Sequence, residues 1–170
     1  VFAAEVALGG SQNAETLIRL GALWAPYALH GESWRILSAA FLHYGALHFA
    51  LNMMMLALIG RELEQEAGAA RLLVAYLGGA AFSSFMVLAL MARGVVGYGL
   101  YVGASGAIFA AFGVIVVFRM KDWRSRRASL DALRARALVL AMLVQLGADF
   151  LLPMSSLTAH LSGFGFGLLQ

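Results

Sequence analysis

Ser105 stands within Gly103-Ala104-Ser105-Gly106 at the opening of an apolar segment, and His160 follows Ala159 in a later apolar segment that continues through Gly163 and Gly167. A serine hydroxyl is a weak nucleophile until a neighbouring base takes its proton, and imidazole is the side chain most often used for that purpose. A serine and a histidine carried on two apolar segments therefore predict acyl-transfer chemistry inside a lipid bilayer. Ser105 falls where a helix should begin. Free backbone N–H groups and the helix dipole favour an oxyanion at that place. A helix N-cap flanked by packing glycines is the competing reading of the same four residues. Ser156 and Ser162 lack this setting and read as a cap and a packing residue.

His160, Gly163 and Gly167 share one helical face, so the histidine sits on a smooth surface that a second helix can approach closely. The helix from Ser105 offers a matching face at Gly106, Ala110 and Gly113. His48 and Asn52 lie four residues apart and can aim donors at one point. An oxyanion hole needs such donors, and losing one typically costs about 3 kcal/mol of barrier. A histidine in a membrane also serves simply as an interhelical hydrogen-bond partner. A zinc site built from His43, His48 and His160 is a further alternative, but no HExxH spacing and no nearby carboxylate accompany them, so no metal or other cofactor is expected.

The surroundings of these residues set the medium. The chain of 170 residues is 62% hydrophobic and 12% charged with a mean hydropathy of +0.82, which predicts an integral membrane protein. It has no cysteine, which excludes disulfides, thiolate metal sites and cysteine nucleophiles. The sequence pI near 9.7 does not signal nucleic-acid binding, because the basic residues gather in connectors between apolar runs. One domain over residues 1–170 is expected, an all-α polytopic bundle. Its pieces are a short apolar piece at 1–8, an external loop at 9–43 and helices at 44–63, 71–92, 103–119, 135–152 and 157–170. Helices are required because backbone groups in lipid must be satisfied within the segment, and no alternation of barrel type is present. Residues 1–8 read as the remnant of a first helix otherwise largely missing from this chain.

Nine of the twelve lysines and arginines fall within 61–71 and 119–136, and Arg19, Arg35 and Arg93 are the other three. The positive-inside rule then makes the nine-residue side cytoplasmic. The 9–43 loop, the Gly-rich loop before Ser105 and the turn at Pro153 fall on the external side. About fifteen apolar residues precede Arg119, covering roughly 22 Å of a hydrocarbon core about 30 Å thick. Ser105 should therefore lie below the outer surface, reached by a loop at 94–101 that is tolerable only against protein or water. Trp24, Trp34 and Arg35 are expected in an interfacial element that props the fold. Asp149 is expected as a structural or gating partner, and Glu64 as a brace to Arg61 or nearby backbone.

With these residues in place, the chain resembles the rhomboid family of intramembrane serine proteases, in its bacterial type. The matching pieces are Trp34-Arg35, His43-Tyr44-Gly45-Ala46-Leu47-His48-Phe49-Ala50-Leu51-Asn52, Gly60 with Glu64, Gly103-Ala104-Ser105-Gly106, and Ala159-His160 with Gly163 and Gly167. The resemblance implies a six-helix core, a Ser105–His160 dyad, and an oxyanion hole formed by His48, Asn52 and the Ser105 backbone N–H. It implies transmembrane protein substrates, contact with the lipid bilayer, and a multi-pass protein of the plasma (inner) membrane whose site opens to the external side. One departure is Phe109, where bacterial members often carry a tyrosine stacked on the catalytic histidine; the aromatic face is kept and a hydroxyl is lost. The competing functions are an inactive rhomboid-like protein that binds membrane helices, and a small transporter using His48, Asn52 and Asp149. The transporter reading predicts inverted repeats, which the two halves do not show.

Overall fold

Long apolar stretches with few backbone breakers can satisfy their N–H and C=O groups only within themselves, and the chain accordingly folds as helices. The computed structural model describes residues 1–124, 131–151 and 156–170, with side chains over 1–121, 136–147 and 156–170. In chain order the elements are α1 (Phe2–Ala7), α2 (Ala14–Leu20), β1 (Leu23–Trp24), α3 (Ala25–Ala28), α4 (Arg35–Ser38), a 3-10 turn (Ala39–Phe41), α5 (Gly45–Ala92), β2 (Leu100–Tyr101), α6 (Ser105–Arg124), α7 (Asp131–Leu151) and α8 (Leu157–Leu168).

Helix α5 is two arms joined at Gly68, whose φ of 82° and ψ of 163° break the helical course. A left-handed φ is readily available to glycine alone, so the reversal needs no polar loop. The connector expected at 61–71 is thus helical on both sides of a one-residue break, and the helix expected at 103–119 runs Ser105–Arg124. Among the described residues one helix, Gly45–Ala92, is long and apolar enough to cross a membrane, and Arg136–Gly147 is a shorter apolar stretch.

The core lies between the α5 arms, α6 and α7. Met55, Ile59 and Leu63 of the first arm pack with Ala75 of the second, with Ile108, Ala111 and Ile115 of α6, and with Met142 of α7. Large apolar side chains also point outward, among them Leu47, Leu58, Leu73, Phe85, Leu140 and Leu161. Such a surface suits lipid rather than water.

Helix α6 is enclosed by glycine-lined approaches. A Cβ at Gly163 of α8 would collide with the Gly106 carbonyl, and one at Gly167 with the Ala110 carbonyl. On the opposite side a Cβ at Gly79 would meet Ala110, and one at Gly106 would meet the Ser83 side chain. Small residues let helix backbones come this near, where dispersion replaces the hydrophobic drive that lipid cannot supply.

The segment at 9–43, expected as an external loop with an interfacial element at Trp24, Trp34 and Arg35, carries short helices and strand β1. Asn13 caps α2 by accepting from the Thr16 N–H at 3.1 Å, and α2 ends at Gly21 with a φ of 109°. Arg35 is buried and donates to the Ile18 carbonyl at 2.6 Å, the Ala22 carbonyl at 3.1 Å and Glu32 at 2.7 Å. Trp34 lies over Gly21 with about half its surface exposed (52%). Strand β1 pairs antiparallel with β2, Leu23 opposite Tyr101 and Trp24 opposite Leu100, and the Gly103 N–H donates to the Ala39 carbonyl at 2.9 Å. The loop before Ser105 is therefore held by the 9–43 segment.

At the far end of α6, Arg119 pairs with Glu62 and with Glu66, the latter at 2.5 Å. This corrects the expectation of Glu64 as a brace to Arg61 or nearby backbone, since no hydrogen bond or ion pair of the Glu64 side chain is found among the described residues. Glu64 is exposed. Glu62 and Glu66, one turn apart, flank the position expected to make the brace.

Candidate active site

Ser105 is the first residue of α6 and is largely buried. His160 lies in the first turn of α8, a turn fixed by Ser156, whose side chain accepts from the Ala159 N–H at 3.2 Å and whose carbonyl accepts the His160 N–H at 3.1 Å. The cap expected of Ser156 is thus present. Because Gly163 lets α8 close on Gly106, the histidine ring reaches the serine, with His160 Nε2 and Ser105 Oγ 2.7 Å apart. That separation suits a hydroxyl donating to an unprotonated imidazole nitrogen.

Phe109, one turn below Ser105, lies flat against the His160 ring with centroids 4.5 Å apart and planes 9° apart. It limits the ring to in-plane adjustments. His160 is 1% exposed, so water does not compete for its serine-facing nitrogen.

His48 is in the first turn of α5. The Tyr44 N–H donates to its Nδ1 at 3.3 Å, which assigns the ring hydrogen to Nε2. A Cβ built on Gly103 would stand 2.8 Å from His48 Cε1 and Nε2 and 4.0 Å from Ser105 Oγ, so the Nε2 edge of His48 faces the backbone beside the serine. Gly103 has a φ of 124°, a conformation an L side chain rarely takes. Asn52 is fully buried. Its amide donates to the His48 carbonyl at 2.9 Å, and its Oδ1 has no partner among the described residues.

His43 stands beyond His48, edge to face at 5.4 Å, with both ring nitrogens lacking hydrogen-bond partners among the described residues. Burial, and then the neighbouring His48, lower its pKa to about 4, so it is neutral at ordinary pH. Its backbone N–H donates to the buried Glu5 carboxylate at 3.2 and 3.3 Å. Glu5 was not singled out from the sequence. A lone acid within a short apolar piece was the signal that could have found it. As to zinc, the imidazoles do not converge: His160 turns to Ser105, His48 accepts from Tyr44, and His43 meets His48 by its ring edge.

A cavity of about 30 Å³ adjoins Ser105, lined by Ser83, Tyr101, Gly103, Gly106 and Ser156 among others. A groove of about 950 Å³ lies elsewhere, along α1 and both arms of α5, and does not reach Ser105 or His160. Of the residues read from the sequence, Ser105, His160, His48, Asn52, Gly103, Gly106, Phe109 and Gly163 come together at one end of the bundle, while Gly167 packs on Ala110 and Gly113 toward the other end of α8. Trp34 and Arg35 do not join them; they build the segment that holds the loop before Ser105. Asp149 and Pro153 fall outside the described side chains.

A family model described as the Rhomboid domain matches residues 30–170. RHOMBOID-like protein 1 of Arabidopsis thaliana is 33% identical over 159 residues, covering 91% of this chain and 38% of the relative. Rhomboid protease GluP of Bacillus subtilis (strain 168) is 30% identical over 155 residues, 91% of this chain and 29% of the relative. Rhomboid-related protein 3 of Homo sapiens is 28% identical over 151 residues, 82% of this chain and 36% of the relative. The chain thus spans less than half the length of each of these curated relatives.

Proposed function

The chain belongs to the rhomboid family, and on that premise we propose that it is a membrane-embedded serine endopeptidase that cuts peptide bonds in or near transmembrane helices of other proteins. The observation that carries the reading is the 2.7 Å approach of His160 Nε2 to Ser105 Oγ. In a site enclosed by helices this pair has one evident use: His160 takes the Ser105 proton as Oγ attacks a substrate carbonyl carbon. The C–O bond forms, the carbonyl becomes a tetrahedral oxyanion, and His160 returns the proton to the leaving amine. Water then attacks the acyl-enzyme with the same base, releasing the acid and restoring Ser105.

The oxyanion would be held by the Ser105 backbone N–H at the start of α6, by His48 Nε2–H and by the Asn52 amide. The Tyr44 donation to Nδ1, which leaves the His48 hydrogen on Nε2, supports that role. Side access from lipid past α7 would bring in the substrate helix, which unwinds locally to expose its peptide bond; Gly and small residues ease the unwinding. The small cavity beside Ser105 suits a small side chain at the cut.

The proposed arrangement is a bacterial-type, multi-pass, six-helix bundle in the plasma (inner) membrane with the site toward the external face. Both α5 arms exceed twenty residues, enough for roughly 30 Å each, which supports two crossings from that element. Domain limits follow the helices above.

The test is labelling of the detergent-solubilised protein by a fluorophosphonate probe, with Ser105→Ala and His160→Ala alongside. Labelling of the parent and of neither variant is the expected result. A folded parent that takes no label would overturn the reading.

A further inference from the structure

The first arm of α5 and helix α6 run in the same direction, both leading away from the Ser105 site. Along the α5 arm His48, Asn52, Met55, Ile59, Glu62 and Glu66 follow at alternating steps of four and three residues. That is the repeat by which parallel helices keep one seam in contact. The two ends of the seam correspond. His48 faces the backbone at Gly103 beside Ser105, and fourteen residues further along both helices Glu62 meets Arg119; Glu66 stands fourteen residues after Asn52 and pairs with the same arginine. Between the ends the contact is apolar, Met55 and Ile59 against Ile108, Ala111 and Ile115.

An apolar seam of this kind specifies axial position weakly. The isoleucines supply bulk but no polar group that picks one opposite residue over the next, and Met55 adapts to whatever space it meets, whereas charged or polar residues at seam positions set register. Arg119 and both glutamates are withdrawn from water to a similar degree, with side chains 17%, 17% and 19% exposed, so their pairing is less screened than a surface ion pair.

The geometry points to a register clamp: Arg119, gripped by Glu62 and Glu66 about 21 Å from Ser105 at 1.5 Å per residue, sets where His48 and Asn52 stand along the axis relative to Ser105. Arg119 is a positioning residue that touches no substrate. The consequence for chemistry rests on the protease reading above. Donors must meet the oxyanion at hydrogen-bond distance, so an axial slip of an ångström weakens transition-state binding while leaving substrate binding almost unchanged.

The experiment uses Arg119→Glu, which places three acids together, and the exchanged pair Arg119→Glu with Glu66→Arg, which restores opposite charges with the cation on α5. Spin labels at Leu58→Cys and Lys121→Cys report the spacing of the two helices, which the absence of native cysteine permits. Expected results are a shift or broadening of the label distance by 2 Å or more in Arg119→Glu, a fall in kcat of about tenfold or more with KM within twofold, and recovery of both in the exchanged pair. An unchanged distance, or a changed distance with unchanged kcat in an active parent, overturns the clamp. If Arg119→Glu does not fold, Arg119→Gln carries the same measurements. A parent lacking Ser105-dependent labelling would sink the protease reading alone, since the distances still decide whether Arg119 sets the register.

Discussion

The rings of Phe109 and His160 lie nearly parallel, 9° apart with centroids 4.5 Å apart, while His160 Nε2 is 2.7 Å from Ser105 Oγ. The contact that orients the His160 ring is thus carried by the same helix as Ser105. Phe109→Tyr keeps the flat face and should hold kcat within a few-fold. Phe109→Ala releases the ring and should lower kcat by about tenfold to a hundredfold, in line with a contact of about 1 kcal/mol plus lost orientation. Comparing the rates of fluorophosphonate labelling decides it, and equal rates in parent and alanine variant would remove the stacking role.

Gly163 and Gly165 make a matched pair on α8. A Cβ at Gly163 would enter the Gly106 carbonyl, whereas nothing lies within 4 Å of one at Gly165. Gly163→Ala should force α8 away from α6, lower the melting temperature and suppress labelling at least tenfold. Gly165→Ala should be neutral or stabilising by up to about 1 kcal/mol, because alanine is the better helix former. Thermal unfolding of both variants in one detergent is the check, and similar losses from both would refute the close-packing account.

His48 carries the hydrogen that faces the backbone at Gly103. His48→Ala should reduce kcat by about 10²–10³ with little change in KM, the effect of removing one oxyanion donor. Gly103→Ala should be as damaging by a different route, since its φ of 124° is strained for alanine and its methyl would press on the His48 ring. A His48→Ala variant that raised KM alone would show that this side chain binds substrate rather than the transition state.

The buried His43 ring makes stability pH-dependent. Its pKa falls from 6.5 to about 4 on folding, so between those values the unfolded chain binds more protons than the native one. The native state is therefore fully favoured above pH 6.5 and loses stability as pH drops toward 4, by up to about 3 kcal/mol. His43→Leu should flatten this part of the profile. Melting temperatures recorded from pH 4 to 7.5 test it, and an unchanged slope in the variant would rule His43 out as the source.

Much of this site could be read from residue types and spacing, because its requirements are local. A serine needs a helix start, which Gly103 and Gly106 frame, and a histidine on a glycine face needs a partner helix of small residues. What escaped was long-range. Glu5 reaches the His43 backbone across 38 positions, and Arg119 reaches Glu62 across 57; neither spacing leaves a periodic mark. The Glu64 assignment missed for that reason: adjacency in sequence suggested Arg61, while the cation that is bound arrives from another helix. Within the 9–43 segment α2 and α4, of seven and four residues, were not legible because they are too short for hydrophobic periodicity to declare them.

His48, Ser105 and His160 each stand in the first turn of a helix, so α5, α6 and α8 all direct their N-terminal ends at one point. Aligned peptide dipoles give each such end a partial positive charge, and three of them in a poorly polarisable interior create a standing electric potential that favours negative charge. Dissolved ions screen exposed charges effectively and buried dipoles poorly. The catalytic step should therefore proceed at nearly the same speed in dilute buffer and in concentrated salt.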